Sequence, residues 1–399
     1  MKRTTPQNIL PLFLLFLTLS AFGQKIPVMQ KKIVGNEHRI DVYTATQNKA
    51  DVLNVSQIAE DIEFLPLETT DECLLGNGIR NLVVSQSDII IFDGEEVCYR
   101  FGRNGKFKNR IGRKGNGPGE YVKSFYVVVD TLNQWVYMGD YNQKKFVKYD
   151  YEGKFLANLK TDGVGLLNYL YKPMQLVMVN NFYQYAKKGQ RFSLNLYDEK
   201  SKKIISRMSC DYREDIPQLA ICNPSVYNYK GNTYVKDYWC DTIYRMKDPY
   251  HLESVAYVDK GKYVERTEND YSLIGKKANP RDYMVLSILE INETDRYIIL
   301  TTSKGRVYYD KKEKKTFATG TLKQPTFLTA KDDLYGGPGL QDFHIIDNTL
   351  YTFRYPHEFE EYGNGKHSIT DARYNTYRKM VEGLNSEDNP VIMIVTLKK

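Results

Sequence analysis

The sequence predicts an all-β fold, and three observations lead to it. The chain of 399 residues contains 33 tyrosines and 17 phenylalanines, and its short apolar runs are broken by Gly, Asn and Asp, as is typical of strands separated by turns. A unit of three such runs recurs along the chain, and one further run precedes each copy. Six repeats of four strands, each repeat roughly 40 to 60 residues long, predict a six-bladed β-propeller.

The first 23 residues are predicted to be a signal peptide. Lys2 and Arg3 precede an almost continuously apolar run, residues 9–19, and the tripeptide AFG that ends at Gly23 fits a small-x-small cleavage site. We therefore expect cleavage near Gly23 and an exported protein, located in the periplasm or at the cell surface. No later apolar run approaches the roughly 20 residues of a membrane span, so no transmembrane segment is expected in the mature chain.

The mature chain is predicted to consist of an N-terminal extension, residues 24–60, and the propeller, residues 61–399. The clearest repeats are "DIIIFDGEEVCYRFGRNGKFKNRIGRKG" from Asp88 and "QWVYMGDYNQKKFVKYDYEGKFLANLKTDG" from Gln134. Weaker copies begin at Gln175, Asn232, Arg296 and Asn348. The preceding runs, which are the predicted inner strands, begin at Gly78, Ser124, Leu166, Pro224, Tyr283 and Asp342.

The last blade requires a strand from the beginning of the domain. In the sixth repeat the third run is displaced to "NPVIMIVTLKK", and the chain ends before an outer strand can follow. The unassigned segment "DIEFLPLET", residues 61–69, is predicted to pair beside "VIMIVTL". This pairing would close the ring and remove open sheet edges.

One helical insertion is predicted within the sixth blade, at about residues 368–384. Ser368 is a candidate N-cap with Asp371 three residues later, and Gly383 is a stop signal. A helix that covers one face of the propeller is favoured over a functional lid, because propeller insertions commonly fall in loops.

The glycine-rich stretch "IGRKGNGPGEY", residues 111–121, is predicted to be a connector between blades and not a phosphate loop. A strand follows it where a phosphate loop requires a helix, and Glu120 stands where the phosphate-binding lysine belongs. Pro118 and Gly119 suit the second and third positions of a type II turn.

The segments "GRNGKFKNRIGRKGNGPGEY", "WVYMGDYNQKKFVKYDYEGKF", "FLPLET" and "NPVIMIVTLKK" carry a family resemblance. The chain resembles the NHL-like six-bladed β-propellers, and more closely a group of uncharacterised exported propeller proteins of Gram-negative bacteria. The likeness covers nearly all of the mature chain and is most specific in the first two repeats. It implies the fold and an exported location, and it transfers no catalytic residue.

No cofactor or metal site is predicted. The five histidines form no H-E-x-x-H motif, and there is no G-x-S-x-G motif. The five cysteines, Cys73, Cys98, Cys210, Cys222 and Cys240, contain no C-x-x-C pair. A Cys210–Cys222 disulfide and buried free thiols both remain open.

The charge pattern argues against nucleic-acid binding. Although 56 basic residues exceed 49 acidic ones, the basic residues are scattered among acidic ones and not gathered on one surface. A monomer is expected.

Two functions remain. The first is a non-enzymatic binding or protein-interaction module with a polar glycan, peptide or protein ligand at the mouth of the central channel. The alternative is a hydrolase or lyase that acts in the channel, as the likeness to NHL-like propellers implies. The inner strands offer mainly Arg, Lys, Tyr, Asn and Ser, whereas a catalytic channel collects His and acidic residues, so the binding module is favoured.

Candidate ligand-binding residues lie at the start of each predicted inner strand. Loops that enter these strands rim one face, and function concentrates on loops held by a rigid scaffold. The candidates are Arg80, Glu120, Tyr121, Lys123, Asn168, Tyr169, Ser225, Arg281, Tyr283 and Asp342. This mixture of cations, hydroxyls and aromatics suits a polar or anionic ligand, or its members satisfy one another around channel water. As rim charges, Arg80 and Lys123 are expected to be solvated.

Overall fold

The structure is a computed structural model that describes residues 25–35, 38–50, 52–161, 167–179, 192–210, 224–264, 284–320, 330–340, 344–362 and 371–399. The N-terminal segment contains β1 (Gln30–Lys32), β2 (His38–Asp41), α1 (Val42–Gln47), β3 (Leu53–Asn54), α2 (Val55–Ile58) and β4 (Ala59–Pro66).

Six four-stranded antiparallel blades follow within these ranges, and the prediction of a six-bladed propeller is confirmed. Blades 1 to 3 are β5 (Ile79–Val84), β6 (Asp88–Asp93), β7 (Cys98–Gly102) and β8 (Phe107–Arg110); β9 (Ser124–Asp130), β10 (Trp135–Asp140), β11 (Lys145–Asp150) and β12 (Phe155–Lys160); and β13 (Asn168–Lys172), β14 (Gln175–Val179), β15 (Phe192–Asp198) and β16 (Lys203–Ser209).

Blades 4 and 5 are β17 (Ser225–Tyr229), β18 (Asn232–Lys236), β19 (Thr242–Asp248) and β20 (His251–Asp259); and β21 (Ile288–Glu293), β22 (Tyr297–Thr302), β23 (Gly305–Asp310) and β24 (Lys315–Thr319). A strand of two residues, β25 (Ala330–Lys331), precedes blade 6. Blade 6 contains β26 (His344–Ile346), β27 (Thr349–Arg354) and β28 (Val391–Leu397). The inner strands begin within two residues of the predicted positions, except that the fifth begins at Ile288.

The second strand of blade 1 shows why the central strands read as continuous apolar runs. Ile89 and Ile91 of β6 pack into the apolar cluster shared with blade 6, whereas Ile90 and Phe92 pack into the cluster shared with blade 2. Both faces of the strand are therefore buried, so the side chains that point to either face must be apolar.

The predicted ring closure is confirmed. In blade 6, β28 lies between β27 and β4 and is antiparallel to both. Ile62 of β4 pairs with Val395 of β28, and Phe64 pairs with Met393. The first strand of the propeller domain is thus the outer strand of its last blade.

The rest of the N-terminal segment forms a strap along the outer edges of three blades, which we define as residues 28–54. It begins with a bridge from Val28 to Arg207 of blade 3, and β1 and β2 then run parallel to β20 of blade 4. Ala50 next bridges to Thr319 of blade 5, and β3 pairs with β25. The strap hydrogen-bonds to outer strands that would otherwise be open edges.

The predicted helical insertion is present, with a second helix that the sequence analysis missed. Two helices lie between β27 and β28, namely α3 (Pro356–Tyr362) and α4 (Asp371–Val381). Ser368, the predicted N-cap, lies outside the described residues. Tyr377 of α4 is fully buried, donates a hydrogen bond to the carbonyl of Phe359 (3.0 Å), and packs on Phe64 of the outer strand. The insertion therefore covers the outside of blade 6.

Cys73 and Cys98 are buried and form no disulfide. Burial raises the pKa of the Cys98 thiol, which keeps it protonated. Cys222 lies outside the described residues, so the Cys210–Cys222 alternative stays untested.

Candidate functional site

The mouth of the central channel is the end at which the inner strands begin. Each inner strand starts there, and the second and third strands of each blade are joined by a turn at the same end, because neighbouring strands are antiparallel. Side chains from both kinds of loop can therefore meet at this face.

Three inner strands carry a β-bulge close to the mouth. Arg80 is the additional residue in β5, and Leu289 is the additional residue in β21. In β9, Phe125 and Tyr126 together oppose a single residue of β10. A bulge changes the direction of a side chain, and the bulge residues Arg80, Phe125 and Leu289 are all exposed.

An exposed aromatic pair lies at the mouth of blade 2. Phe125 and Tyr141 meet edge to face with ring centroids 5.8 Å apart, although each is more than a third exposed, at 38% and 39%. The ammonium group of Lys123 lies 5.3 Å from the Phe125 ring centroid. Exposed aromatic rings beside a cation offer stacking and charge in one place.

Three cations surround one buried carboxylate between blades 1 and 2. Glu96, in the turn after β6, has a side chain only 3% exposed. Its Oε1 accepts a hydrogen bond from Lys123 and lies 3.8 Å from Arg80, and its Oε2 lies 3.3 Å from Lys114. The predicted rim cations Arg80 and Lys123 are thus brought together, but as ion-pair partners of Glu96. Both side chains are also partly exposed to solvent, at 37% and 40%.

The environment of Glu96 favours its ionised form. Burial opposes ionisation, but hydrogen bonds from Lys123 and Lys114 outweigh it, and the pKa of Glu96 lies below its ordinary value. Glu96 also has a positive φ of 67°, which is uncommon for a residue with a side chain. The turn is held in this conformation by the ion pairs and by Tyr121, whose hydroxyl donates to the Glu96 carbonyl (2.6 Å).

Glu120 and Tyr121, two further predicted site residues, have structural partners. The Glu120 carboxylate accepts hydrogen bonds from Arg113 (2.7 Å) and from the backbone N–H of Gly117 (2.7 Å). Tyr121 is 1% exposed. The backbone N–H of Glu120 donates to the Gly117 carbonyl, and Gly119 has a φ of +74°. These features match the predicted type II turn.

A polar layer lies inside the channel, below the mouth. Tyr126 of β9 lies close to Asn81 of β5 and to Glu290 of β21, and its ring is 6.3 Å from that of Tyr169 of β13. Burial, and then the charge of Glu290, raise the pKa of Tyr126 to about 12. Burial likewise raises the pKa of Tyr169, so both phenols stay neutral hydrogen-bonding groups.

Asn81 shows that this layer has unused hydrogen-bonding capacity. The residue is 1% exposed, and its Oδ1 is buried without a partner among the described residues. A buried amide oxygen of this kind calls for a water or a ligand group. The predicted residue Tyr169 contributes its ring to this polar layer beside Tyr126.

Of the remaining predicted site residues, two are described by the structure and three are not. Ser225 is half-buried and pairs in register with Lys236, a buried lysine that donates to the Asp237 carbonyl (3.1 Å). Asn168 is 2% exposed at the start of β13. Arg281, Tyr283 and Asp342 lie outside the described residues.

Sequence reasoning missed Glu96, Phe125, Tyr141 and Leu289. Phe125 and Leu289 were predicted to be regular strand residues, because a β-bulge does not change the apolar pattern of the sequence. Tyr141 and Glu96 follow second strands, and only the predicted starts of inner strands were searched.

The described part of the chain contains neither a metal-binding cluster nor a membrane-spanning helix. Its His, Cys, Asp and Glu residues include no group of three that could hold a metal ion. No helix within the described ranges has the length and apolar composition required to cross a bilayer.

Comparison with solved structures identifies related propellers. The chain is similar to a presumed exported protein from Bacteroides fragilis NCTC 9343, with a TM-score of 0.66 and 20% identity over 92% of this chain and 100% of that one. It is also similar to a member of the DUF4221 family from Bacteroides vulgatus ATCC 8482, with a TM-score of 0.50 and 10% identity over 85% and 97% of the two chains. At these identities the likeness shows the fold.

No curated protein matches the chain significantly. A family profile does match, over residues 37–396, which include β2, α1 and β3 of the strap and all but the last residues of the propeller. Its description is a domain of unknown function, DUF4934. The chain therefore belongs to the DUF4934 family.

Proposed function

We propose that this protein is an exported, monomeric binding module whose ligand docks at the channel mouth of blades 1 and 2. The predicted signal peptide supports export, and the similar B. fragilis protein is itself described as presumed to be exported. The resemblance of the first two repeats to NHL-like propellers covers the same two blades that form this part of the mouth.

The exposed pair Phe125 and Tyr141 carries the proposal. A soluble protein gains nothing in stability from leaving two large aromatic side chains more than a third exposed, whereas such rings form stacking platforms at binding sites. The bulge in β9 is the feature that places Phe125 beside Tyr141.

The charges beside this pair indicate an acidic ligand. Arg80, Lys114 and Lys123 surround Glu96, and they exceed the carboxylates of Glu95 and Glu96 by one charge. Asp93 and Asp140, at the same end of their strands, are fully buried and accept backbone hydrogen bonds. An oligosaccharide with carboxylate groups combines sugar faces that stack on aromatic rings with anions that pair with lysine and arginine. We therefore infer an acidic oligosaccharide as the ligand.

The test is a glycan array that includes acidic and neutral oligosaccharides, followed by titration of the strongest ligand. Phe125→Ala and Tyr141→Ala are each expected to raise the Kd about fivefold to tenfold, since one aromatic contact contributes roughly 1 kcal/mol. Lys123→Gln should weaken binding of the acidic ligand more than binding of its neutral counterpart.

Leu132→Ala provides the matched control, because Leu132 is 80% exposed in the turn at the opposite end of β9. Equal affinity of the Phe125→Ala and Leu132→Ala variants would exclude this mouth as the site. Retention on a peptide array, without any glycan bound, would assign the site to a peptide and contradict the oligosaccharide proposal.

A further inference from the structure

A second cavity lies on the outer edge of the propeller, away from the channel. It has a volume of about 610 Å³ and is bounded by the last residue of β12, by the turn between β15 and β16, and by residues 25–27, which precede the strap. The N-terminal segment is fixed there, because the N–H of Arg207 donates to the Pro27 carbonyl (2.9 Å) and the N–H of Met29 donates to the Arg207 carbonyl (2.7 Å).

The charged residues that line this cavity are all cations. They are Lys25, Lys160, Lys202 and Lys203. Within the described residues, none of these four lysines forms an ion pair with a carboxylate. Four like charges around one cavity repel one another, and an anion in the cavity relieves this repulsion.

The nearest acidic residues along the chain are engaged elsewhere. The Asp198 carboxylate accepts hydrogen bonds from Gln175 (3.0 Å) and from the backbone N–H of Ser201 (2.8 Å). Glu199 accepts from Lys148 (2.8 Å) and from the Tyr137 hydroxyl (3.0 Å). Within the described residues, neither carboxylate forms an ion pair with a lysine that lines the cavity.

The wall of the cavity also supplies apolar surface. Ile26, Ile204 and Tyr250 line it beside the lysines. Tyr197, another lining residue, is 2% exposed, and its hydroxyl is buried below the surface. The groups that a ligand in this cavity can contact are therefore the lysines and the apolar side chains.

We propose that this cavity binds an organic phosphate or sulfate monoester. The tetrahedral oxyanion pairs with the lysine ammonium groups, each of which offers three donors. The organic body of the ligand packs against Ile204 and the neighbouring side chains. This site is independent of the channel mouth, since the lining residues belong to the outer edges of the blades and to the N-terminal segment.

Blade 5 offers a matched control for the cavity lysines. The sequence "DEKSKK" from Asp198 in blade 3 corresponds to "DKKEKK" from Asp310 in blade 5. Lys202 and Lys314 occupy the same turn position, with φ values of 55° and 52°. Lys314 and Lys315 do not line the cavity, so their replacement tests the effect of removing two surface charges alone.

The experiment is calorimetric titration of the mature protein at low ionic strength with phenyl phosphate, phenyl sulfate and phenol. We expect saturable binding of one ester with one ligand per chain, at least tenfold weaker binding by the variant Lys202→Gln/Lys203→Gln, and unchanged binding by Lys314→Gln/Lys315→Gln. Added NaCl should weaken the binding, because the lysines are exposed to screening. Tighter binding of phenyl phosphate assigns a phosphate monoester, and tighter binding of phenyl sulfate assigns a sulfate monoester.

Three results would overturn the proposal. They are the failure of both esters to bind, equal weakening by the two double variants, and binding of phenol as tight as that of the esters. Thermal melting of each variant checks that the fold is intact, which we expect because all four substituted lysines are exposed and lie in turns or at the first residue of an outer strand.

Discussion

Glu96 illustrates how the residues of the mouth depend on one another. A fully solvated rim charge at Lys123 would tolerate charge reversal without loss of the fold. Because the Lys123 ammonium group instead pairs with a carboxylate that is 3% exposed, Lys123→Glu would place two carboxylates together and destabilise the turn. Lys123→Gln is the milder variant for binding studies.

The free energy contributed by Glu96 should depend on pH. Its folded-state pKa lies below the ordinary glutamate value of 4.5, so its contribution is fully present above about pH 4.5 and is lost as the pH falls through the folded-state pKa. Glu96→Gln is expected to lower the free energy of unfolding by about 2 kcal/mol at neutral pH. Urea unfolding at neutral and acidic pH measures this difference, which should shrink on acidification.

Glu95→Gln is the control for this pH dependence. Glu95 is exposed, and its main partner is the amide of Asn77. If Glu95→Gln and Glu96→Gln lowered the free energy of unfolding equally at neutral pH, the cation cluster would contribute no specific stabilisation.

Among the elements, the turn at Gly119 gives the sharpest test of a structural role. A Cβ added at Gly119 would lie 2.7 Å from the Phe155 ring, and its φ of +74° disfavours other residues. Gly119→Val should therefore destabilise the fold by about 2–3 kcal/mol. Thermal melting measures the effect, and ATP, GTP and NAD should produce no binding heat with the parent protein.

Gly231 separates the two causes of this destabilisation. It has a φ of +69°, but a Cβ there would meet nothing within 4 Å. Gly231→Ala should cost only the backbone strain, whereas Gly119→Ala should cost strain and the contact with Phe155. Saturable nucleotide binding that Gly119→Val abolishes would contradict the connector role.

The elements that the sequence predicted well are those with a local signal. Continuous apolar runs located β6, β10 and β22, since each strand is buried on both faces. Helix α3 was missed because Pro356–Tyr362 is short and is preceded by Tyr355, not by the Ser, Thr, Asp or Asn that is typical of an N-cap. The strap was left as an extension, because its contacts with β20 and β24 depend on strands more than 200 positions away in the chain.

At the scale of the whole molecule, stability depends on the pairing of β4 with β28. Deletion of residues 24–70, or of the last ten residues, should expose a sheet edge in blade 6 and give aggregated protein. Size-exclusion chromatography and melting measure this outcome. Deletion of residues 25–32, which removes only β1 and the bridge at Val28, should leave a soluble ring with a lower melting temperature.

A soluble protein with an unchanged melting transition after either of the two larger deletions would contradict the dependence on ring closure. The ring itself was predictable from sequence, because the missing outer strand of the sixth repeat and the spare segment at residues 61–69 complement each other. The mouth was only partly predictable, since ion pairs such as Lys123 with Glu96 join different blades and have no sequence signature.

Ring closure also constrains the order in which strands can pair while the chain is synthesised. Chains emerge from the ribosome N-terminus first, so β4 must wait for a partner about 330 positions later in the chain. Throughout that interval β4 has no partner strand and could pair with another chain. Glu60, Asp61 and Glu63 are exposed on β4, and their like charges repel a second copy of the strand. We therefore expect these acidic side chains to disfavour pairing of β4 with another chain until β28 is available.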